Sequence, residues 1–445
     1  MSVRTAIIGM GVTGYSCLRY LAGRDDLLVV DTRDQPPHRA AAEALAPEAE
    51  FRFGSEACGA DFSGVDRVIV SPGVALDHPL VGRAAAAGAS VVSDIDLFCE
   101  AAHAPIYAVT GTNGKSTVTE LAGHLLARLG RHPGVGGNLG EPALDLLADE
   151  HDCYVLELSS FQLERMAGRR FESAVVLNVT EDHMDRHGSM AAYAAAKRRI
   201  FTNVGRAVAN RQDPLTLPDA PVADLVTFGD DAPEEGHWGL DRQHGELMLM
   251  WGKRPVMRQA DLPLPGLHNA LNVLAAFALV AGNDVAPARL AAAVVGFRAL
   301  AHRCQTVAEV RGVTFIDDSK ATNVGAVLAA LGGLGPQYSA DRPRLLLVAG
   351  GDGKGADFSP LAEPVQRYVK AVLLIGRDAP LLEQALSGTV PLERAADMAQ
   401  AVAAAMRRAE HGDVVLLSPA CASLDMFRNY AERGDVFRAA AEALQ

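Results

Sequence analysis

Nine consecutive residues, Val109-Thr110-Gly111-Thr112-Asn113-Gly114-Lys115-Ser116-Thr117, carry the most specific chemistry in the chain. The glycines allow a tight turn, and a helix starting just after Gly114 would aim its unpaired amide hydrogens and positive dipole end into that turn. Those donors suit a phosphate, Lys115 adds a full positive charge, and Ser116 or Thr117 offers a hydroxyl to Mg²⁺. The full phosphate-loop pattern has a glycine five residues before Gly114, where this chain has Val109. A plain strand-to-helix turn is the alternative; nucleoside triphosphate binding is the stronger reading.

Further groups suit the same ligand. Glu157 interrupts an apolar run over residues 153–158, which would put its carboxylate near a strand's carboxyl end, within reach of Mg²⁺ carried by ATP. The alternative for Glu157 is a solvent-facing strand residue. The run Thr180-Glu181-Asp182-His183-Met184-Asp185-Arg186-His187 holds two imidazoles and three carboxylates in eight residues. Mostly oxygen donors and no cysteine favour Mg²⁺ or Mn²⁺ over zinc there, and a helix cap by Asp182 is the rival reading. Lys197 shares an apolar helical stripe with Met190, Tyr193, Ile200 and Phe201. Burial favours the neutral, reactive amine, open to use as a base, a Schiff-base former or a CO₂ acceptor whose carbamate would ligate a metal. Snorkelling past the core edge is the simpler role. Asn269 and Asn272 sit one turn apart at the start of an apolar helix, where amides can grip a purine edge or merely cap.

These groups need strands and helices to hold them. Residues 3–9 read as a buried strand running into Gly9-Met10-Gly11-Val12-Thr13-Gly14, and residues 27–30 as a second strand ending at Asp31-Thr32-Arg33. This is a dinucleotide fingerprint in the right context, although Arg33 is placed to pair with a phosphate; a nucleotide-sugar and a dinucleotide both remain open. A strand over 65–70 ends at Ser71-Pro72-Gly73, explained equally by ligand contact or a structural turn. Residues 213–265, rich in proline, glycine and aspartate, read as a surface meander without chemistry, with short strand-like pieces such as Leu247 to Trp251. Strands over 312–316, 345–348, 372–375 and 414–417 then form an open parallel sheet whose carboxyl edge carries Lys320, Thr322, Lys354 and Ser423. Two lysines and two hydroxyls there suit a small ligand with more than one carboxylate.

The expected fold class is α/β in three domains: 1–93 Rossmann-like, 94–298 around the phosphate loop, and 299–445 Rossmann-like. A net charge of −13 with no basic tract argues against nucleic acid. The six cysteines, Cys17, Cys58, Cys99, Cys153, Cys304 and Cys421, form no C-x-x-C pair, which argues against a zinc site or a disulfide framework. With no signal peptide ahead of the first strand and no membrane-length apolar run, a cytoplasmic protein without membrane contact is expected.

Taken together, Gly111 to Thr117, Glu181-Asp182-His183-Met184-Asp185, His268-Asn269 and Asp318-Ser319-Lys320-Ala321-Thr322-Asn323 resemble the Mur ligases of peptidoglycan synthesis over the whole chain. The Asp318 run and residues 418–424 look like the D-glutamate-adding branch. The resemblance implies ATP, two Mg²⁺ ions, UDP-N-acetylmuramoyl-L-alanine and D-glutamate as ligands, and a monomer. It implies that Thr32 and Arg33 hold the uridine diphosphate, that Ser71 and Gly73 bind the same substrate, and that Asn138, Ser159 and Asn178 face the muramoyl group. Gly111 to Thr117 with Asn269, Asn272, Arg303 and Asp318 would hold ATP. Ser116, Glu157, His183 and a carbamylated Lys197 would serve the metals; Lys320, Thr322, Lys354, Ser423 and Leu424 would seat D-glutamate. Tyr430 would join the substrate-binding residues, at a position where the family usually has phenylalanine. The rival readings are an NAD(P) oxidoreductase using the first domain and a non-catalytic nucleotide sensor using the Gly111 loop.

Overall fold

A computed structural model describes residues 3–264, 266–282, 285–298, 301–339 and 342–444. The expected start of the third domain, residue 299, lies outside the described residues. Three large sheets and one small one organise the described residues, and in the large ones short apolar runs bounded by loops are buried on both faces as strands; Leu345–Gly350 is buried at every position.

The first sheet is wholly parallel, in the order Glu50–Phe53, Asp26–Asp31, Arg4–Ile8, Arg67–Val70, Ser90–Val92. The second is also parallel: Leu225–Phe228, Val204–Asn210, Phe171–Val176, Ile106–Thr110, Cys153–Glu157, Pro133–Gly137. Ile106–Thr110 is central there and feeds the helix Lys115–Arg128, whose Val118, Leu121 and Leu125 pack with Val273, Leu274 and Phe277 of the helix Leu267–Val280. The third sheet runs Gln305–Val310, Val313–Asp317, Val414–Leu417, Leu345–Gly350, Val369–Ile375, Leu392–Arg394. Its first strand is antiparallel to the second, a departure from the purely parallel sheet expected. That edge strand is largely exposed, so it lacks the apolar run that revealed its neighbours.

Residues 213–264 are more ordered than a meander, and the strand-like run 247–251 is one of three paired strands. Trp238–Gln243, Glu246–Trp251 and Arg254–Arg258 form an antiparallel sheet, and Trp238 is buried with its ring 5.4 Å from Phe277. The glycines there mark hairpin turns.

The first two sheets share one apolar core, in which Ile7 and Leu18 join Ile95, Phe98 and Leu156. Ser93 opens the connecting helix Asp94–Ala101 with a reciprocal cap to Asp96. All six cysteines are free thiols. Among the described residues no helix is long and apolar enough to cross a membrane.

Candidate active site

The carboxyl edge of the central sheet opens into a cleft of about 540 Å³, walled on its other side by the third sheet's loops. The phosphate loop forms its floor. Gly114 has φ +84°, and a Cβ there would meet Asn272 Oδ1 at 2.5 Å, so both conformation and space demand glycine. Asn178 braces the loop: its Oδ1 accepts from Asn113 N at 2.8 Å and its Nδ2 donates to Asn113 O at 3.0 Å. The structure thus commits both polar ends of Asn178 to the loop backbone. Lys115 Nζ curls back to Thr112 O at 2.8 Å, and desolvation lowers its pKa despite Glu157 and Asp182 nearby.

Glu157 is buried at the end of its strand, so the solvent-facing alternative fails. Its Oε1 accepts from Asn138 Nδ2 at 2.7 Å, while its buried Oε2 has no partner. Burial alone would raise its pKa, but Lys115 and the Asn138 hydrogen bond outweigh that and hold the carboxylate ionised. An orphaned buried carboxylate oxygen beside the cleft-lining Ser116 fits Mg²⁺, a hard cation that takes oxygen ligands.

Lys197 is buried as its stripe position implied. Its Nζ donates to Gly111 O at 2.7 Å, 4.4 Å from the Tyr193 ring centroid, and burial with nearby Lys115 lowers its pKa well below the ordinary value. His183 lines the cleft with a backbone φ of +56°, and burial pushes its pKa down to about 4, so it is neutral at pH 7.

The run Thr180 to His187 does not form a metal cluster by itself; among the described residues, no three His, Cys, Asp or Glu side chains converge to hold an ion. Its members have other partners. Asp182 pairs with Lys354 and accepts from Asn323 at 3.3 Å, while His187 stacks on Phe161 and shares a 3.0 Å hydrogen bond with Ser160.

The third sheet's loops close the cleft. Lys320 Nζ reaches Ser116 Oγ at 2.8 Å and lies 4.9 Å from the Tyr430 ring centroid, and desolvation lowers its pKa to about 8. Asn323 Nδ2 donates to Asn113 Oδ1 at 3.0 Å. Asp318 is buried, accepting from Cys304 N at 3.2 Å and Ser418 Oγ at 2.8 Å; burial raises its pKa to about 7. Arg303, Asn269, Asn272, Thr322 and Tyr430 also line the cleft, and Thr322 and Lys354 line a small adjoining recess with His183. Ser423 is buried and Leu424 is 72% exposed; neither lines either space.

Thr32, Arg33, Ser71 and Gly73 follow strands of the first sheet and stand outside the cleft. Both Asp31 oxygens are occupied: Oδ1 by Arg33 N and Nε, each at 2.9 Å, and Oδ2 by Met10 N and Arg33 Nη2, each at 2.7 Å. The acid that a dinucleotide ribose would need is therefore engaged within the chain. Ser159 caps a short helix through Gln162, also outside the cleft. Asp182, read as a metal ligand or a helix cap, and Asn323, given no role by its run, instead find partners in another domain. Thr180, His268 and Cys304 also line the cleft.

A glycine loop facing an unpartnered buried carboxylate, with a second domain's lysine at its hydroxyl, gives one cleft the groups that a phosphate-handling enzyme needs. The chain belongs to the Mur ligase family. The models of the MurD-like N-terminal domain, the Mur ligase middle domain and the glutamate ligase domain match residues 3–93, 109–280 and 302–421. It is 48% identical to the UDP-N-acetylmuramoylalanine–D-glutamate ligase of Pseudomonas aeruginosa, across 98% of this chain and 97% of that one. It is 44% identical to the enzyme of the same name from Marinobacter nauticus, across 99% and 98%. The same fold occurs in the UDP-N-acetylmuramate–alanine ligase of Thermotoga maritima, at 19% identity, a TM-score of 0.63, and 99% and 100% coverage.

Proposed function

We propose that this protein is an ATP-dependent ligase that joins D-glutamate to UDP-N-acetylmuramoyl-L-alanine in peptidoglycan precursor synthesis. The observation that carries this beyond simple ATP hydrolysis is Lys320 Nζ lying 2.8 Å from Ser116 Oγ: the loop read as amino-acid-binding meets the phosphate loop at one point. Relatives with this activity match nearly the full chain.

A carboxylate resists attack by an amine, so it must first be activated. Its oxygen attacks the γ-phosphorus of ATP, releasing ADP and forming an acyl phosphate. The neutral amine of D-glutamate then attacks the acyl carbon, phosphate leaves from the tetrahedral adduct, and the nitrogen loses a proton to give the amide. Lys115 and the loop amides hold the triphosphate, with Asn269 and Asn272 holding ATP from beside the loop and Arg303 and Asp318 from the opposite wall. Ser116, Glu157, His183 and a carbamate of Lys197 would hold Mg²⁺ at two sites, and the metal would supply charge neutralisation on the phosphates. Lys320, Thr322 and Lys354, with Ser423 and Leu424, seat D-glutamate. Thr32, Arg33, Ser71 and Gly73 anchor the uridine diphosphate, and Asn138, Ser159 and Asn178 face the muramoyl group. The deciding assay is phosphate release from ATP, required to depend on both acceptor substrates. Release without either would make the protein a simple ATPase, and hydride transfer to NAD(P) would sink the ligase reading.

A further inference from the structure

Arg165 is among the most deeply buried charges in the molecule, with 1% of its side chain exposed. It follows the short helix Ser160–Leu163 and belongs to none of the motifs above. Its guanidinium spans two domains: Nη2 donates to the carbonyl of Val74, in the first domain, and Nη1 to the carbonyl of Phe161. Glu164 balances its charge at 2.8 Å. Burying a guanidinium is unfavourable, and desolvation lowers its pKa, so such a group persists where its fixed fork of donors has geometric work to do.

Both bonded carbonyls sit at meaningful places. Val74 closes the turn Ser71-Pro72-Gly73-Val74, in which Val74 N donates to Ser71 O at 2.9 Å. That turn presses on the first fingerprint glycine: a Cβ on Gly9, at φ +97°, would meet Ser71 Cβ at 2.8 Å. Phe161 follows Ser159 and Ser160, and its ring lies 5.0 Å from His183. Arg186, from the His183 run, donates to Val74 O at 3.2 Å and covers the Phe161 ring at 4.9 Å. One knot therefore joins the 71–74 turn, the 159–161 segment and the His183 run.

We propose that Arg165 is a positioning residue that sets the separation between the 71–74 turn and the 159–161 segment, so that the UDP end and the muramoyl end of the substrate are gripped at a fixed distance. This rests on the reading above that Ser71, Gly73 and Ser159 contact that substrate. A lysine has one nitrogen where arginine has a planar fork, so it reaches one carbonyl but cannot span both in the same way.

The test measures steady-state phosphate release by the full chain for Arg165→Met, Arg165→Lys and Ser159→Ala, with each of the three substrates varied in turn. Arg165→Met is expected to raise KM for UDP-N-acetylmuramoyl-L-alanine about ten-fold, with the KM values for ATP and D-glutamate unchanged and Arg165→Lys falling between. An equal rise in all three KM values, or a fall in kcat alone, would overturn the proposal. Should Arg165→Met not fold, Arg165→Lys decides, and an unchanged muramoyl KM there overturns it. Ser159→Ala separates the two levels of the argument. Its muramoyl KM staying at the wild-type value would sink the substrate assignment, whereas a raised value beside unchanged Arg165 variants would sink the clamp alone.

Discussion

Lys320 and Ser116 lie 204 positions apart in sequence, yet the Lys320 ammonium donates to the Ser116 hydroxyl at 2.8 Å. One residue follows a third-sheet strand and the other lies in the first turn of the helix Lys115–Arg128, so the pair forms only when the two domains face each other. Replacing Lys320 by methionine keeps most of the volume and removes the charge. The expected result is a rise in KM for D-glutamate of roughly thirty-fold, about 2 kcal/mol for one charge-assisted hydrogen bond. Phosphate release at varied D-glutamate measures it; an unchanged KM would take Lys320 out of the amino-acid site.

Glu157 separates its two oxygens by role, Oε1 to Asn138 and Oε2 to no protein group. Glu157→Gln retains an oxygen for Asn138 and puts an uncharged amide where a cation would bind. The Mg²⁺ concentration for half-maximal activity is expected to rise by at least about ten-fold, with the thermal midpoint little changed. A Mg²⁺ titration that overlays the wild type would refute the assignment of Oε2.

For Lys197, the buried amine and its lowered pKa meet the chemical requirement for carbamate formation. Lys197→Ala is expected to lose activity, and added short carboxylic acids to restore part of it by supplying the missing anionic oxygens. Full activity in the alanine variant would end the carbamate hypothesis.

Asp318 carries a pH signature. Its folded pKa of about 7 lies above the ordinary 3.8, so the folded state binds the extra proton between these values. The associated stability is fully present below about 3.8 and is lost as pH rises through about 7, at most about 1.4 kcal/mol per pH unit. Asp318→Asn approximates the protonated acid. Without nucleotide, its melting temperature relative to wild type is expected to climb from pH 4 to pH 8. A difference that stays flat across that range would show that Asp318 is ionised throughout.

Local patterning determined much of this protein. The two glycine fingerprints, the buried strands and the apolar stripe carrying Lys197 were legible because period and turn chemistry are properties of neighbouring residues. The edge strand Gln305–Val310 was not legible, and of the small sheet only the strand-like run 247–251 was, while its partners Trp238–Gln243 and Arg254–Arg258 were not. An exposed strand has no apolar run to betray it, and a small sheet becomes apparent only through its packing on Phe277.

Pairing was what only the tertiary structure decided. The sequence placed Asp182 in a run that looked like a metal cluster; the fold turned it toward Lys354 and Asn323. The sequence left Asp31 open to a ribose; the fold closed it with Arg33 and Met10 N. It offered no reason to notice Arg165, whose partner Val74 lies 91 residues away. A side chain's type and local period follow from its neighbours in the chain, but its hydrogen-bond partner depends on which loops the packed sheets bring to one edge.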